Sequence, residues 1–227
     1  MSKNLIFYFT GTGNSLKVAK GVAECLDDCK VIAMTAFKDK ALPNDAERVG
    51  FVFPGYGSLP NFVNKFISGI ALPNNANIYY YTIVTCGYFK WNSIFTVSEI
   101  LKEKGITLNA GFDVKMVANA IPMYNIPAKT EKIHKKSQKK INAIAEKIKR
   151  KETTRLPYRN ALFFWQANFV KQFPAMDKDF NVSSNCTSCG ICKQVCPVKN
   201  IEVTDGRRLS IIANNVWPAF TIAHPKP

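Results

Sequence analysis

Four cysteines fall within eleven residues, Cys186-x2-Cys189-x2-Cys192-x3-Cys196, and Pro197 closes the run. Thiolates are soft ligands that suit iron–sulfur clusters, and this spacing lets one loop wrap three corners of a cube. The C-terminal part is therefore expected to be a cluster-wrapping loop. Zinc sites usually join two separated Cys or His pairs. A disulfide framework needs an oxidising compartment and usually a short secreted chain. Gly190 permits close backbone approach to a cluster. The remaining cysteines, Cys25, Cys29 and Cys86, are scattered. Cys25 and Cys29 read as small hydrophobes on or near a helix face.

At 227 residues, one medium domain plus a small one is expected. The 47% hydrophobic content supplies a real core. Lys3 is followed by a short apolar run, Leu5 to Phe9, and then by glycine, a pattern unlike a signal peptide. No stretch approaches the length of a transmembrane helix. Cluster-type cysteines fit a reducing cytoplasm. The net charge is +15, and much of it lies between Lys129 and Arg155. That run reads as the solvated face of a helix, and a basic face also steers acidic redox partners. No zinc-finger or RNP-type aromatic pattern supports nucleic acid.

Residues 3–9 read as a buried strand, Ser15–Leu26 as a helix, and Lys30–Met34, Arg48–Phe53, Ile78–Thr85 and Phe112–Val117 as strands. Helical patterns fit Asn61–Ile70, Trp91–Lys104 and Lys129–Lys151. Strands alternating with helices imply a parallel sheet covered on both faces. After Thr154 the composition changes. An apolar run from Tyr158 to Phe173 reads as a connector helix ended by Pro174. The expected units are an α/β domain over 1–151, a linker over 152–176 and a cysteine-rich module over 177–227.

Between the first strand and first helix lies Thr10-Gly11-Thr12-Gly13-Asn14-Ser15. A glycine-rich turn entering a helix is an anion site, because the helix N-terminus supplies free N–H groups and positive partial charge. Thr10, Thr12 and Ser15 add hydroxyls, and Gly11 and Gly13 let the backbone curl. Leu16 occupies the third glycine position of a dinucleotide fingerprint, and the Gly-Lys-Ser/Thr ending of a Walker loop is absent. A hydroxyl-rich loop without lysine suits a single phosphate monoester, as in FMN.

The segment Phe9-Thr10-Gly11-Thr12-Gly13-Asn14-Ser15 resembles the phosphate loop of flavodoxins, and the cysteine run is that of bacterial ferredoxins. Together they make the chain similar to the flavodoxin–ferredoxin fusion family. Val49-Gly50-Phe51-Val52-Phe53-Pro54-Gly55-Tyr56 resembles that family's third strand and first flavin-ring loop, and Val114-Lys115-Met116 its fifth strand. Ile121-Pro122-Met123-Tyr124-Asn125 resembles the loop after that strand. The resemblance implies a doubly wound parallel sheet of order 2-1-3-4-5 followed by a small ferredoxin-like module. It implies FMN phosphate held by the Thr10–Ser15 loop. The flavin ring would lie between Pro54–Ser58 and Thr85–Phe89, near Pro54, Tyr56, Gly57, Thr85, Cys86, Gly87 and Tyr88. Tyr56 or Tyr88 would stack on the ring. The loop after Tyr56 is short, and Cys86-Gly87-Tyr88-Phe89 is bulkier than the family's glycine-rich segment. The implied metal ligands are Cys186, Cys189, Cys192 and Cys196.

In two-cluster ferredoxins the fourth cysteine of such a run ligates the other cluster, so a second run is expected downstream. This chain reads Ile211-Ile212-Ala213-Asn214-Asn215-Val216-Trp217-Pro218-Ala219-Phe220-Thr221-Ile222-Ala223-His224-Pro225, without cysteine. A codon frame starting at the old third base yields TGC or TGT wherever a codon ending in T precedes Ala or Val. That can occur at Ile212/Ala213, Asn215/Val216, Pro218/Ala219 and Ile222/Ala223, with steps of 3, 3 and 4, as in the first run. The next shifted codon, NCA, encodes proline when N is C. Ala and Val make up 36 of 227 residues, so coincidence would occur on the order of once in a thousand trials. The expectation is a one-base frameshift near Arg207–Ser210, leaving one incomplete 4Fe–4S cluster where the family pattern has two.

The leading functional expectation is an electron-transfer flavo-iron–sulfur protein with acidic redox partner proteins. FMN exchanges one or two electrons and a cubane cluster one, so the pair bridges hydride-type and single-electron donors. The alternatives are an FMN-dependent reductase of a quinone or other small acceptor, and a cluster-binding or redox-sensing module without transfer activity.

Overall fold

A computed structural model describes residues 3–38, 41–55, 59–87, 92–118, 130–158, 186–197, 199, 201–204 and 208–211. The N-terminal unit alternates strand and helix: β1 (Asn4–Tyr8), α1 (Asn14–Ala23), β2 (Cys29–Ala33), β3 (Arg48–Pro54), α2 (Asn61–Gly69), β4 (Tyr79–Cys86), α3 (Ser93–Glu103), β5 (Ala110–Lys115) and α4 (Thr130–Lys149). The five strands are all parallel, in the order β2-β1-β3-β4-β5.

Side-chain alternation along the strands divides the core into two layers. Phe7, Phe9, Phe51, Phe53, Tyr80 and Val84 face one side, where Val63 and Ile67 of α2 and Val97 and Leu101 of α3 cover them. Ile6, Val52, Tyr81, Ile83 and Val114 face the other, under Val18 and Val22 of α1 and Ile141, Ile144 and Ile148 of α4. The 141, 144, 148 spacing is one helical stripe, and α4 turns its lysines outward. Both faces of β4 are buried along all eight residues, hence its continuous run YYYTIVTC.

Two contacts lock the layers. Arg48, at the start of β3, donates from Nε to Ile148 O (3.1 Å) and from Nη2 to Lys149 O (2.8 Å). A cation thereby satisfies the last carbonyls of α4. Gly50 of β3 leaves room for the Tyr81 ring. A Cβ there would stand 2.2 Å from Tyr81 Cζ.

Over the N-terminal unit, the strand and helix positions expected from the sequence are occupied, with bounds shifted by a few residues. α1, expected to reach Leu26, ends at Ala23, and β5 moves at both ends, expected over Phe112–Val117 and found at Ala110–Lys115. Its pairing with β4 starts at Ala110↔Tyr81. Gly111 carries no side chain to mark the alternation, and Val117 O accepts a hydrogen bond from Asn14 Nδ2 instead of continuing the ladder.

A separate C-terminal segment contains α5 (Ile191–Val195) and an antiparallel pair, β6 (Ile201–Thr204) with β7 (Arg208–Ile211). The connector expected over Tyr158–Phe173 lies outside the described residues beyond Tyr158, as does the chain after Ile211. Among the described residues no helix is long and apolar enough to cross a membrane.

Candidate functional site at the carboxyl edge of the sheet

In an open parallel sheet, ligands bind outside the carboxyl ends of the strands where the strand order reverses. Here that point lies between β1 and β3, and the loop Thr10–Gly13 leaves β1 at that place. Gly13 takes the N-cap position of α1 in a left-handed conformation, φ 93°, which an L side chain rarely adopts. Its N–H donates to Thr10 Oγ1 at 3.0 Å, folding the loop back on itself. No side chain caps α1. The first-turn N–H groups of α1 therefore face the loop without a side-chain acceptor, the arrangement an anion requires.

The two residues that open α1 are anchored from below. Asn14 Nδ2 donates to Val117 O at 3.1 Å, tying the loop to the chain beyond β5. Ser15 Oγ and Thr85 Oγ1 share a 2.8 Å hydrogen bond, and both side chains are buried. The hydroxyl of Ser15 thus serves the protein interior, and its contribution toward the loop is its backbone N–H. Thr12 is exposed, while Thr10 and Gly11 are half-buried. Thr10 Oγ1, an acceptor toward Gly13, keeps its own proton to donate.

The opposite wall comes from the ends of β3 and β4. Pro54 pairs with Thr85 in register, and Gly55 N–H donates to Thr85 O at 2.8 Å. Cys86 is buried, and its carbonyl accepts from Met116 N–H at 2.8 Å. Gly87 lies so close to the chain after β5 that a Cβ on it would stand 2.7 Å from Ala118 Cβ. The fold therefore brings Thr10, Gly11, Thr12, Gly13, Asn14 and Ser15 to the same edge as Pro54, Thr85, Cys86 and Gly87. Tyr56, Gly57 and Tyr88, the remaining residues of the expected ring site, lie outside the described residues, as does 121–125. The Ser15–Thr85 tie is the feature the sequence reading missed. The two residues are 70 positions apart and nothing local marks them as partners.

Among the described residues, none of the four cysteines of the C-terminal run is in a disulfide. Ser188 (φ 57°), Gly190 (φ 73°) and Lys199 (φ 50°) adopt left-handed conformations that curl the backbone around them. Ser188 N–H points at Cys186 Sγ, 3.4 Å away. The Cys189 thiol is held below its ordinary pKa, chiefly by the Ile191 backbone N–H and then by the Thr187 side chain. Hydrogen bonds of this kind favour a thiolate. The donors suit an iron–sulfur cluster in kind. Among the described residues, however, no three His, Cys, Asp or Glu side chains converge as a metal-holding group. Cys25 and Cys29 are partly buried against the α1/α4 layer. Burial, then the charge of Asp28, pushes the Cys29 thiol up to about 11, as expected for a small core hydrophobe. Cys29 belongs to β2, not to a helix face.

No family model matches the chain, and no curated protein does. Similar solved structures include flavodoxin from Fusobacterium nucleatum bound to flavin mononucleotide, 15% identical over 67% of this chain and 100% of that one, with a TM-score of 0.46. A second is an FMN-dependent NADH-azoreductase from Bacillus anthracis in complex with FMN, 10% identical over 65% and 99% of the two chains, TM-score 0.45. A third is rubredoxin oxygen:oxidoreductase from Desulfovibrio gigas, 19% identical over 66% of this chain, TM-score 0.40; the match spans 37% of that longer protein. The assignment of fold rests on the sheet itself: five parallel strands in the order 2-1-3-4-5, covered by helices on both faces, are a flavodoxin-like domain.

Proposed function

We propose that this chain is an electron-transfer flavo-iron–sulfur protein, with FMN on residues 1–151 and a 4Fe–4S cluster on the module at 177–227. The observation that carries the flavin half is the uncapped N-terminus of α1, set at the switch point and fixed from beneath by Ser15–Thr85. In this reading the backbone N–H groups of Gly11, Thr12, Asn14 and Ser15, with the Thr10 and Thr12 hydroxyls, hold the phosphate, while the Gly13 N–H shapes the loop through Thr10 Oγ1. The ring lies toward Pro54 and Thr85–Gly87, with Tyr56 and Tyr88 as its stacking partners. Bound FMN supplies one- and two-electron exchange, and a cluster supplies single electrons. The protein's own work is to bind, orient and screen these groups. Thr85, Cys86 and Met116 are buried and keep water from the floor of the site.

The cluster half rests on the spacing of Cys186, Cys189, Cys192 and Cys196, the left-handed turns between them and the N–H directed at Cys186. In this frame three thiols offer three corners of one cube, and Cys196 belongs to a second site whose other ligands are missing. The shifted reading of the tail supplies them. The test is anaerobic reconstitution of the chain as written and of a version with the frame restored before Ile211, followed by iron and sulfide analysis and EPR. Restoration is expected to raise the iron content toward eight per chain, while the unrepaired chain holds at most one labile cluster. Eight irons and a stable two-cluster signal in the unrepaired chain would overturn both the ligand assignment and the frameshift.

A further inference from the structure

Charge is distributed unevenly over the α1/α4 face. At the amino edge of the sheet, cations are interleaved with acids: Lys3 and Arg48 pair with Glu47, and Arg150 pairs with Glu146 and Glu152, beside Lys147 and Lys149. At the carboxyl edge, beside the candidate flavin site, lysines dominate. A pocket of about 250 Å³ between the end of β5 and the first half of α4 is lined by Lys115, Lys132, Lys136 and Lys140 around Ile133 and Ser137. Lys140 contacts Asp113 at 2.8 Å. A second groove, between α1 and α4, runs from Gly13 of the phosphate loop past Lys17 and Lys20. Among the described residues, Glu24 and Glu131 also lie near these grooves.

We infer that this lysine-lined face is the docking surface for an acidic electron-transfer protein, whose carboxylates enter the α4 pocket and whose redox centre is thereby brought to the carboxyl edge. The kind of partner rests on the electron-transfer reading above; the place rests on the charge geometry. Every cation on α1 and α4 within the face is lysine. Lysine is a compact, strongly hydrated point charge, suited to steering and fast release; a phosphate-reading surface favours the bidentate fork of arginine. Neither helix carries Phe, Tyr or Trp, and the imidazole of His134 is half-buried, so the two helices offer no row of exposed rings for single-stranded nucleic acid to stack on. The large exposed hydrophobics of the described residues, Tyr158, Ile191 and Val195, lie elsewhere, so the face offers no apolar side for insertion into lipid. Charge complementarity with few apolar anchors matches the small, transient interfaces of redox encounters.

The test uses the full chain loaded with FMN and, as probe, an acidic plant-type 2Fe–2S ferredoxin, titrated by calorimetry at about 0.01 M and about 0.15 M ionic strength, where the screening length falls from about 30 to about 8 Å. Affinity is expected to drop about tenfold or more with salt, and about tenfold in Lys132→Glu/Lys136→Glu, with flavin binding unchanged. Lys147→Glu/Lys149→Glu changes the net charge equally at the amino end of the same sheet and is expected to leave affinity within about twofold. Equal losses in the two variants, no loss in the first, or tighter binding to phosphatidylserine vesicles or a single-stranded oligonucleotide than to ferredoxin would overturn the inference. A chain that binds ferredoxin in this pattern but retains no flavin overturns the FMN reading and supports the docking face. A flavin-loaded chain that fails the salt and charge tests does the reverse.

Discussion

Ser15→Ala tests whether the phosphate loop is positioned from beneath. The change deletes one oxygen from a side chain that is 1% exposed and leaves Thr85 Oγ1, on a residue 3% exposed, without its 2.8 Å partner. A buried hydroxyl left unsatisfied costs about 1–3 kcal/mol. Thr85→Val makes the complementary cut, keeps the shape of the side chain and strands Ser15 Oγ at a similar cost. With both changes together, no orphaned hydroxyl remains, and the pair costs less than the sum of the two. The expected coupling is about 1–2 kcal/mol, within the range for directly bonded neighbours. Urea unfolding followed by far-ultraviolet circular dichroism reads this as a midpoint shift of about 0.5–1 M for each single variant. FMN affinity is expected to fall in both single variants and to recover partly in the double, because the backbone N–H of residue 15 survives throughout. Strictly additive stability losses, or single variants as stable as the parent, would refute the claim that this bond fixes the loop.

Tyr81→Phe is expected to keep or raise stability, by up to about 1 kcal/mol, because Tyr81 Oη is buried without a partner among the described residues; thermal unfolding checks it, and a loss above that size would reveal an unseen partner. Gly50→Ala is expected to cost at least about 1–3 kcal/mol through overpacking against the Tyr81 ring, and denaturant midpoints that do not move would contradict the 2.2 Å approach. In the cluster-free chain, anaerobic alkylation near pH 7.5 followed by peptide mass spectrometry is expected to label Cys189 first and Cys29 last. The Cys189 thiol is stabilised as thiolate and Cys29 is pushed up to about 11, so Cys29 reactivity should emerge only as pH rises toward that value.

Much of this architecture is legible from local pattern. The unbroken apolar runs of β1, β3 and β4 announce strands buried on both faces, and the 141, 144, 148 stripe fixes which side of α4 packs. The Thr10–Ser15 loop is legible because its glycines and hydroxyls are consecutive. What is hidden depends on partners distant in sequence. Ser15 reads as a ligand hydroxyl until Thr85 is seen beneath it, and nothing local marks Arg48 as the partner of the last carbonyls of α4. The start of β5 is hidden by Gly111, which interrupts the alternation that marks a strand. The basic character of α4 is plain in sequence; the lysine-lined grooves at the carboxyl edge emerge only once Lys115 and α1 are placed beside it.

The account stands most directly on flavin stoichiometry. The full chain, incubated with excess FMN and passed through gel filtration, is predicted to elute with one flavin per chain and a perturbed flavin spectrum. Thr12→Asp, which sets a carboxylate against the phosphate at the N-terminus of α1, is predicted to elute without flavin while retaining the parent's circular dichroism. Parent protein that emerges free of flavin, or Thr12→Asp that retains it fully, would contradict the assignment of the Thr10–Ser15 loop as the phosphate site.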